Sequence, residues 1–250
     1  MKWSSIKNIM VWFLIFMNLA MLAIITATSI NKAYIPQEVV ASSLSVIRQS
    51  GFEIADDIFP GKYYTLPTYR AQFYSASDLS ELFFEKQIAF RTDGDSLVGT
   101  QGRAVLTVND NFFSYDSGYS AKEDFSPKEL RHALEKTGFD MKDTVYDEKT
   151  LCFYKMYNGS NLFNMSLEAK IDRDGEICYV KAHWPKTLIE GEKRKLSFIE
   201  SSAKLKKAFP NGGKIESIEL GYSLHALGGD NFLFTPAWRA SVNGEPKIIE

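Results

Sequence analysis

The stretch LFNMSLEAKIDRDGEICYVKAHW, Leu162 to Trp184, decides the fold class. Phe163, Met165, Leu167, Ala169 and Ile171 alternate with Asn164, Ser166, Glu168 and Lys170. A period of two over that length predicts a strand with one buried face. Asp172-Arg173-Asp174-Gly175 then supplies turn residues, and Ile177 to Trp184 reads as the returning strand of an antiparallel hairpin. Upstream, Thr150 to Tyr157 ends at Asn158-Gly159, a pair suited to a tight hairpin turn, so three strands are predicted to form a meander.

Working outward, two segments predict helices. Ile35-Pro36-Gln37-Glu38 opens an amphipathic run that Gly51 closes. Ser126-Pro127-Lys128-Glu129 has the pattern of a capping box with Pro at the first helical position, and Gly138 ends that helix. Each is followed by an aromatic and an acid, Phe52-Glu53 and Phe139-Asp140, which hints at two copies of a helix-then-strands unit. A third helix is predicted from Lys195 to Phe209, stopped by Pro210, Gly212 and Gly213, with Lys193-Arg194-Lys195 as its solvated start.

Further strands are predicted between Gln87 and Ser117, joined at Asp93-Gly94-Asp95 and Asn109-Asp110-Asn111. Ile218, Leu220, Tyr222 and Leu224 alternate, and Gly228-Gly229-Asp230 leads to a last strand around Trp238, Ala240 and Val242. Trp238 and Tyr222 are the candidate structural residues, with Trp238 expected to be buried. Helices interspersed with antiparallel meanders predict an α+β fold, divided into a first subdomain over 33–125 and a second over 126–250.

The amino end differs in kind. No charge occurs from Asn8 to Ile30, enough to cross a hydrocarbon core that needs about 20 residues. Residues 8–31 are therefore predicted to form a transmembrane helix. Lys2 and Lys7 precede it, which places a short tail, residues 1–7, in the cytoplasm and everything after the helix outside. Ala27-Thr28-Ser29 offers the alternative, a cleavage site that would release the rest, but the long apolar run favours a helix that stays. Asn18 carries an amide into the middle of this segment, while Ala23 and Ala27 form a small-x-x-x-small pair. These three are the candidate transmembrane interface; the plainer reading is an Asn tolerated in a long apolar helix.

Composition narrows the function. The net charge is −2, and removing Lys2, Lys7 and Lys32 from the 29 basic residues leaves 26 against 31 acidic ones. A mildly acidic domain has no electrostatic footprint for nucleic acid. His132, His183 and His225 lack metal-ligand spacing, no G-x-S-x-G is present, and Cys152 has no nucleophile signature. The expectation is a protein without catalytic, cofactor or metal residues and with no small-molecule substrate. Asp172-Arg173-Asp174-Gly175 resembles the start of an EF-hand loop but lacks the later ligands, so it reads as a turn. Cys152 and Cys178 could be bridged or be two separate thiols.

The two ends carry a resemblance. Met1-Lys2-Trp3, Lys7 and an apolar helix containing Asn18-Leu19 resemble the start of the YycI (WalI) family of Gram-positive bacteria. Gly221-Tyr222, Thr235-Pro236-Ala237-Trp238-Arg239 and the Asn243-Gly244 turn resemble its carboxyl end. The resemblance implies a membrane-anchored accessory protein of a two-component system controlling cell-wall metabolism. It implies as partners a sensor histidine kinase and a YycH-like companion, met through membrane helices and extracytoplasmic domains.

Overall fold

The computed structural model describes residues 12–22, 33–157, 159–228 and 231–249. Residues 12–22 are helical, and among the described residues no helix is long and apolar enough to cross a membrane. The rest is α+β, with few helices and a large mixed sheet that is mostly antiparallel. The helices are α1 (Gln37–Gln49), α2 (Ala76–Phe84), α3 (Pro127–Thr137), α4 (Phe198–Ser202) and α5 (Leu205–Ala208). In the first half the strands are β1 (Phe52–Glu53), β2 (Tyr64–Phe73), β3 (Phe90–Asp93), β4 (Ser96–Gln101), β5 (Ala104–Val108) and β6 (Phe113–Asp116). Then come β7 (Thr144–Asp147), β8 (Cys152–Tyr157), β9 (Ser160–Ile171), β10 (Ile177–Ala182) and β11 (Pro185–Leu196), followed by β12 (Gly213–Gly228), β13 (Asn231–Val242) and β14 (Glu245–Ile249).

The chain divides into two compact units, each assembled from separate segments. One comprises Pro67–Arg194 with Glu219–Arg239. Its strand order is β11-β2-β13-β12-β9-β10-β6-β5-β4-β3, with the β7–β8 hairpin joined to β9. Strands β2–β13, β3–β4, β4–β5, β5–β6, β6–β10, β7–β8, β8–β9 and β9–β10 pair antiparallel, whereas β12 runs parallel to β9, with Gly221 facing Asn161 and Tyr222 facing Leu162. The β8-β9-β10 meander is present. Its β9–β10 turn is built by one side chain: Asp172 Oδ1 accepts from the backbone amides of Asp174 (2.9 Å) and Glu176 (3.0 Å). Gly175 completes the turn at φ 82°, where a Cβ would be strained. The strand alternation places Phe163, Met165, Leu167, Ala169 and Ile171 inside. Asn164 sits mid-strand at φ 66°, a left-handed conformation its short polar side chain tolerates.

Helices α2 and α3 cover one face of this sheet. Leu79, Leu130 and Leu134 from the helices and Leu106, Leu167 and Val180 from the strands share one core, all without exposed surface. Helix α3 begins as its sequence dictates. Ser126 Oγ accepts from Glu129 N, the Glu129 carboxylate accepts from Ser126 N, Pro127 is the first helical residue, and Gly138 closes the helix at φ 109°.

The other unit comprises Met1–Leu66, Lys195–Ile218 and Ala240–Glu250. Here α1 buries Leu44 and Ile47, β1 runs parallel to the start of β12 through Phe52 opposite Gly213, and the Phe59 and Phe198 rings meet edge-on at 5.6 Å.

Three expectations are corrected. The helix expected from Lys195 to Phe209 is replaced by the end of β11 and two short helices, α4 and α5, divided at Ala203 and Lys204. Ser197 is extended, so no helix starts before it. Lys193-Arg194-Lys195 thus belongs to a strand, not to a helix start. That strand ends the sheet order and is exposed along nearly its whole length, so charges sit there without desolvation. Lys195 Nζ lies 4.1 Å from the centroid of the Tyr63 ring. Nor is the strand around Trp238 the last, because Asn243-Gly244 turns the chain into β14. Finally, β2 and α2 lie where the sequence pattern predicts no element.

Candidate binding cleft

Where β2 ends, Ser75 starts α2 with a second capping box. Its Oγ accepts from Asp78 N at 3.1 Å, and Asp78 Oδ2 accepts from Ser75 N at 3.0 Å. The other oxygen of Asp78 accepts from Lys186 Nζ of β11 at 2.7 Å. Partial burial pushes this carboxyl up, but the bonds from Lys186 and Ser75 outweigh it and hold the group below its ordinary range. Beside this contact Thr187 Oγ1 donates to Gln72 Oε1 at 3.0 Å, a further link between β11 and β2.

A cleft of about 580 Å3 opens at this point. One wall is the β2–β11–β13 side, with Arg70, Gln72, Lys186 and Asn231. The other is made by two turns, Asp95 between β3 and β4 and Asn109-Asp110 after β5. The buried Val108 and Phe232 and the ring of Phe73 give it an apolar floor, and Phe73 meets Phe232 edge-on at 5.0 Å. Strands β13 and β5 are five places apart in the sheet order, yet both line the cleft. The cleft thus draws on strands that are not hydrogen-bonded neighbours. Its volume falls in the range of small-molecule sites.

Tyr74 lines the same cleft and is pushed up to about 12, first by burial and then by the carboxylates of Asp140 and Asp78. It stays a neutral phenol near neutral pH. A smaller cleft of about 410 Å3 shares Lys186 with the first. Its wall is fixed by Lys155, only 6% exposed, whose ammonium donates to Asp140 O (3.2 Å), Asp140 Oδ2 (3.1 Å) and Lys142 O (3.0 Å). Burial raises Asp140, but the Lys142 amide and Lys155 more than offset this and hold it low. Every donor of Lys155 is used, so this lysine is a clamp on the Asp140–Lys142 loop.

The residues singled out from the sequence lie elsewhere. Asn18 Nδ2 donates to Leu14 O at 2.9 Å inside its own helix, and Ala23 and Ala27 fall outside the described residues. Trp238 is 2% exposed and Tyr222 is fully buried, its ring centroid 5.2 Å from that of Tyr69. His132 is exposed on α3, His183 packs 5.0 Å from Phe112, and His225 lies on β12; none of them lines the cleft. Burial and then Lys181 lower His183. Cys152 and Cys178 are free thiols, both raised chiefly by burial. Among the described residues no group of three or more His, Cys, Asp or Glu is placed to hold a metal ion.

Of the cleft residues, the sequence marks Asp95, Asn109 and Asp110 only as turn residues. One signal existed: Ser75 and Asp78 stand at capping-box spacing before the apolar Leu79. Nothing in the sequence marks Arg70 or Lys186.

No protein-family model and no curated protein matches this chain. Among solved structures, an uncharacterized protein from Eubacterium rectale is similar to it with a TM-score of 0.40 and 12% sequence identity, over 79% of this chain and 85% of that one.

Proposed function

We propose that this protein is a membrane-anchored, non-catalytic regulator of a sensor histidine kinase controlling cell-wall metabolism, acting outside the cytoplasm as YycI-like proteins do. The observation that carries this reading is the helix over residues 12–22. Trp12, Phe13, Leu14, Phe16, Leu19 and Leu22 each expose more than half of their surface. Such a helix needs an apolar environment. At 1.5 Å per residue the described part spans about 16 Å, against about 30 Å of hydrocarbon. The uncharged run from Asn8 to Ile30 is long enough for the remainder, and Lys2 and Lys7 orient it.

In this reading the partners are the kinase and a YycH-like protein, reached through the membrane helix and through the domain that follows it. That domain holds two helix-then-strands units, α1 with β1 and α3 with β7, each closed by glycine and followed by a buried Phe52 or Phe139. The direct test is fractionation of the native protein with intact-mass measurement. Recovery in the membrane fraction with Met1 to Ile30 attached supports anchoring, whereas a soluble product beginning near Ile30 defeats it. Co-purification with the kinase then tests the regulatory role.

A second reading is favoured by the cleft at the start of α2: an anchored or released domain that binds a ligand, or acts on one, at the cell wall. Ligand binding or hydrolysis by the protein without any kinase association would select it.

A further inference from the structure

We propose that the cleft at the start of α2 binds a short amphipathic peptide that presents ammonium groups to Asp95 and Asp110, an apolar side chain to Phe73 and Phe232, and a carboxylate to Arg70. The inference goes beyond the regulatory reading and does not depend on the anchor, because it stands on the cleft alone.

Charge placement carries it. Five ionised side chains line the cleft: Arg70, Lys186, Asp78, Asp95 and Asp110. Lys186 and Asp78 satisfy each other at 2.7 Å. Among the described residues Arg70, Asp95 and Asp110 have no ion-pair partner, although they line one cleft. The cleft thus offers one free cation on the strand wall and two free carboxylates on the turn wall. An occupant of reversed polarity can pair with both signs at once, and a guanidinium in particular favours a carboxylate with two parallel bonds. Two ammonium groups and one carboxylate match these charges in number and sign.

The floor sets the rest of the ligand. Phe73, Phe232, Leu97 and Val108 line the same cleft as the charges, and Leu97 keeps 40% of its surface exposed. An apolar side chain of the ligand would cover that surface. A peptide also suits the rim, where Gln72, Asn109 and Asn231 present amides able to bond a backbone. The dipeptide Lys-Phe has the required parts: an α-ammonium, an ε-ammonium, a phenyl ring and a carboxylate.

The experiment is calorimetric titration of the full-length protein in detergent micelles with Lys-Phe, its carboxamide, and its form acetylated on both amines. Binding of Lys-Phe is expected to saturate below about 1 mM and to weaken as salt rises. Losing the carboxylate, or both ammoniums, should each weaken binding about tenfold on the parent protein. On Arg70→Gln the carboxamide should bind as well as Lys-Phe. On the Asp95→Asn, Asp110→Asn double variant the acetylated form should bind as well as Lys-Phe. All three side chains are exposed, so these variants should melt with the parent. Failure of Lys-Phe to saturate by about 10 mM overturns the proposal. So does a carboxamide penalty on Arg70→Gln equal to that on the parent, because the carboxylate would then be read elsewhere or not at all.

Discussion

Lys186 Nζ lies 2.7 Å from Asp78 Oδ1 and joins residues 108 positions apart. The same carboxylate closes the capping box of α2, so one side chain both starts a helix and fastens β11 to it.

Removing Asp78 should therefore cost more than removing Lys186. Their side chains keep 32% and 44% of their surface, so the ion pair itself is worth less than about 1 kcal/mol, and Lys186→Ala should lose no more than that. Asp78→Ala also loses the bond from the Ser75 amide, the reciprocal half of the capping box, for about 1 kcal/mol more. Urea denaturation of both variants gives the order; equal losses would deny Asp78 its second role. The pH dependence has a definite sign. The folded carboxyl is held below its ordinary range, so its contribution is complete above the unfolded value and is lost as pH falls through the folded one. Asp78→Asn should accordingly trail the parent in melting temperature at about pH 7, and the gap should narrow as pH falls through the folded value.

Lys155 makes a stronger prediction. Lys155→Ala removes three bonds and leaves the carbonyls of Asp140 and Lys142 short of a donor in a site where the lysine was buried. The expected loss is about 2–4 kcal/mol. Lys155→Met keeps the stem but not the donors and should recover only part of it. Parent-like stability of the alanine variant in chemical denaturation would mean that water replaces the ammonium at no cost.

Trp238→Ala should cost about 3–5 kcal/mol, because the ring is buried and its removal leaves a cavity. A melting temperature within a degree or two of the parent would show that the neighbouring strands collapse into the space.

The proposed membrane segment yields a graded prediction. Asn18 already bonds to Leu14 O within its own helix, which meets part of the amide's need. Under the proposed function, Asn18→Leu alone should weaken association with a kinase partner by no more than the roughly 0.6–2 kcal/mol that interhelical bonds of this kind are worth. Adding Ala23→Leu and Ala27→Leu should weaken it further by holding a neighbouring helix away. Undiminished co-purification of the triple variant, once its insertion is verified, would place the contact in the domain that follows.

Legibility in the sequence tracked how much contrast each element carries between its two sides. The β9–β10 hairpin and α3 were readable because buried and exposed residues alternate cleanly and local turn and cap chemistry agrees with them. Strand β11 was not, since an end strand exposed almost throughout has no period to detect and its charges mimic a helix face. Strand β2 carries Pro67 in its first half, which argues against a strand, and three consecutive buried residues that break the alternation. The cleft could not be read at all. Arg70, Asp95, Asp110 and Lys186 belong to four separate segments, brought together only by the tertiary fold.

The charged run of β11 has a consequence for life at high protein concentration. A terminal strand of twelve residues offers a row of backbone groups on which a second sheet could grow. Glu190, Glu192, Lys193, Arg194 and Lys195 make that growth unfavourable, because a docking strand would have to strip water from five ionised groups. The residues that hid this strand from sequence reading thus act as gatekeepers against amyloid-like stacking, and a chain carrying valine at these positions should keep its fold yet precipitate during expression.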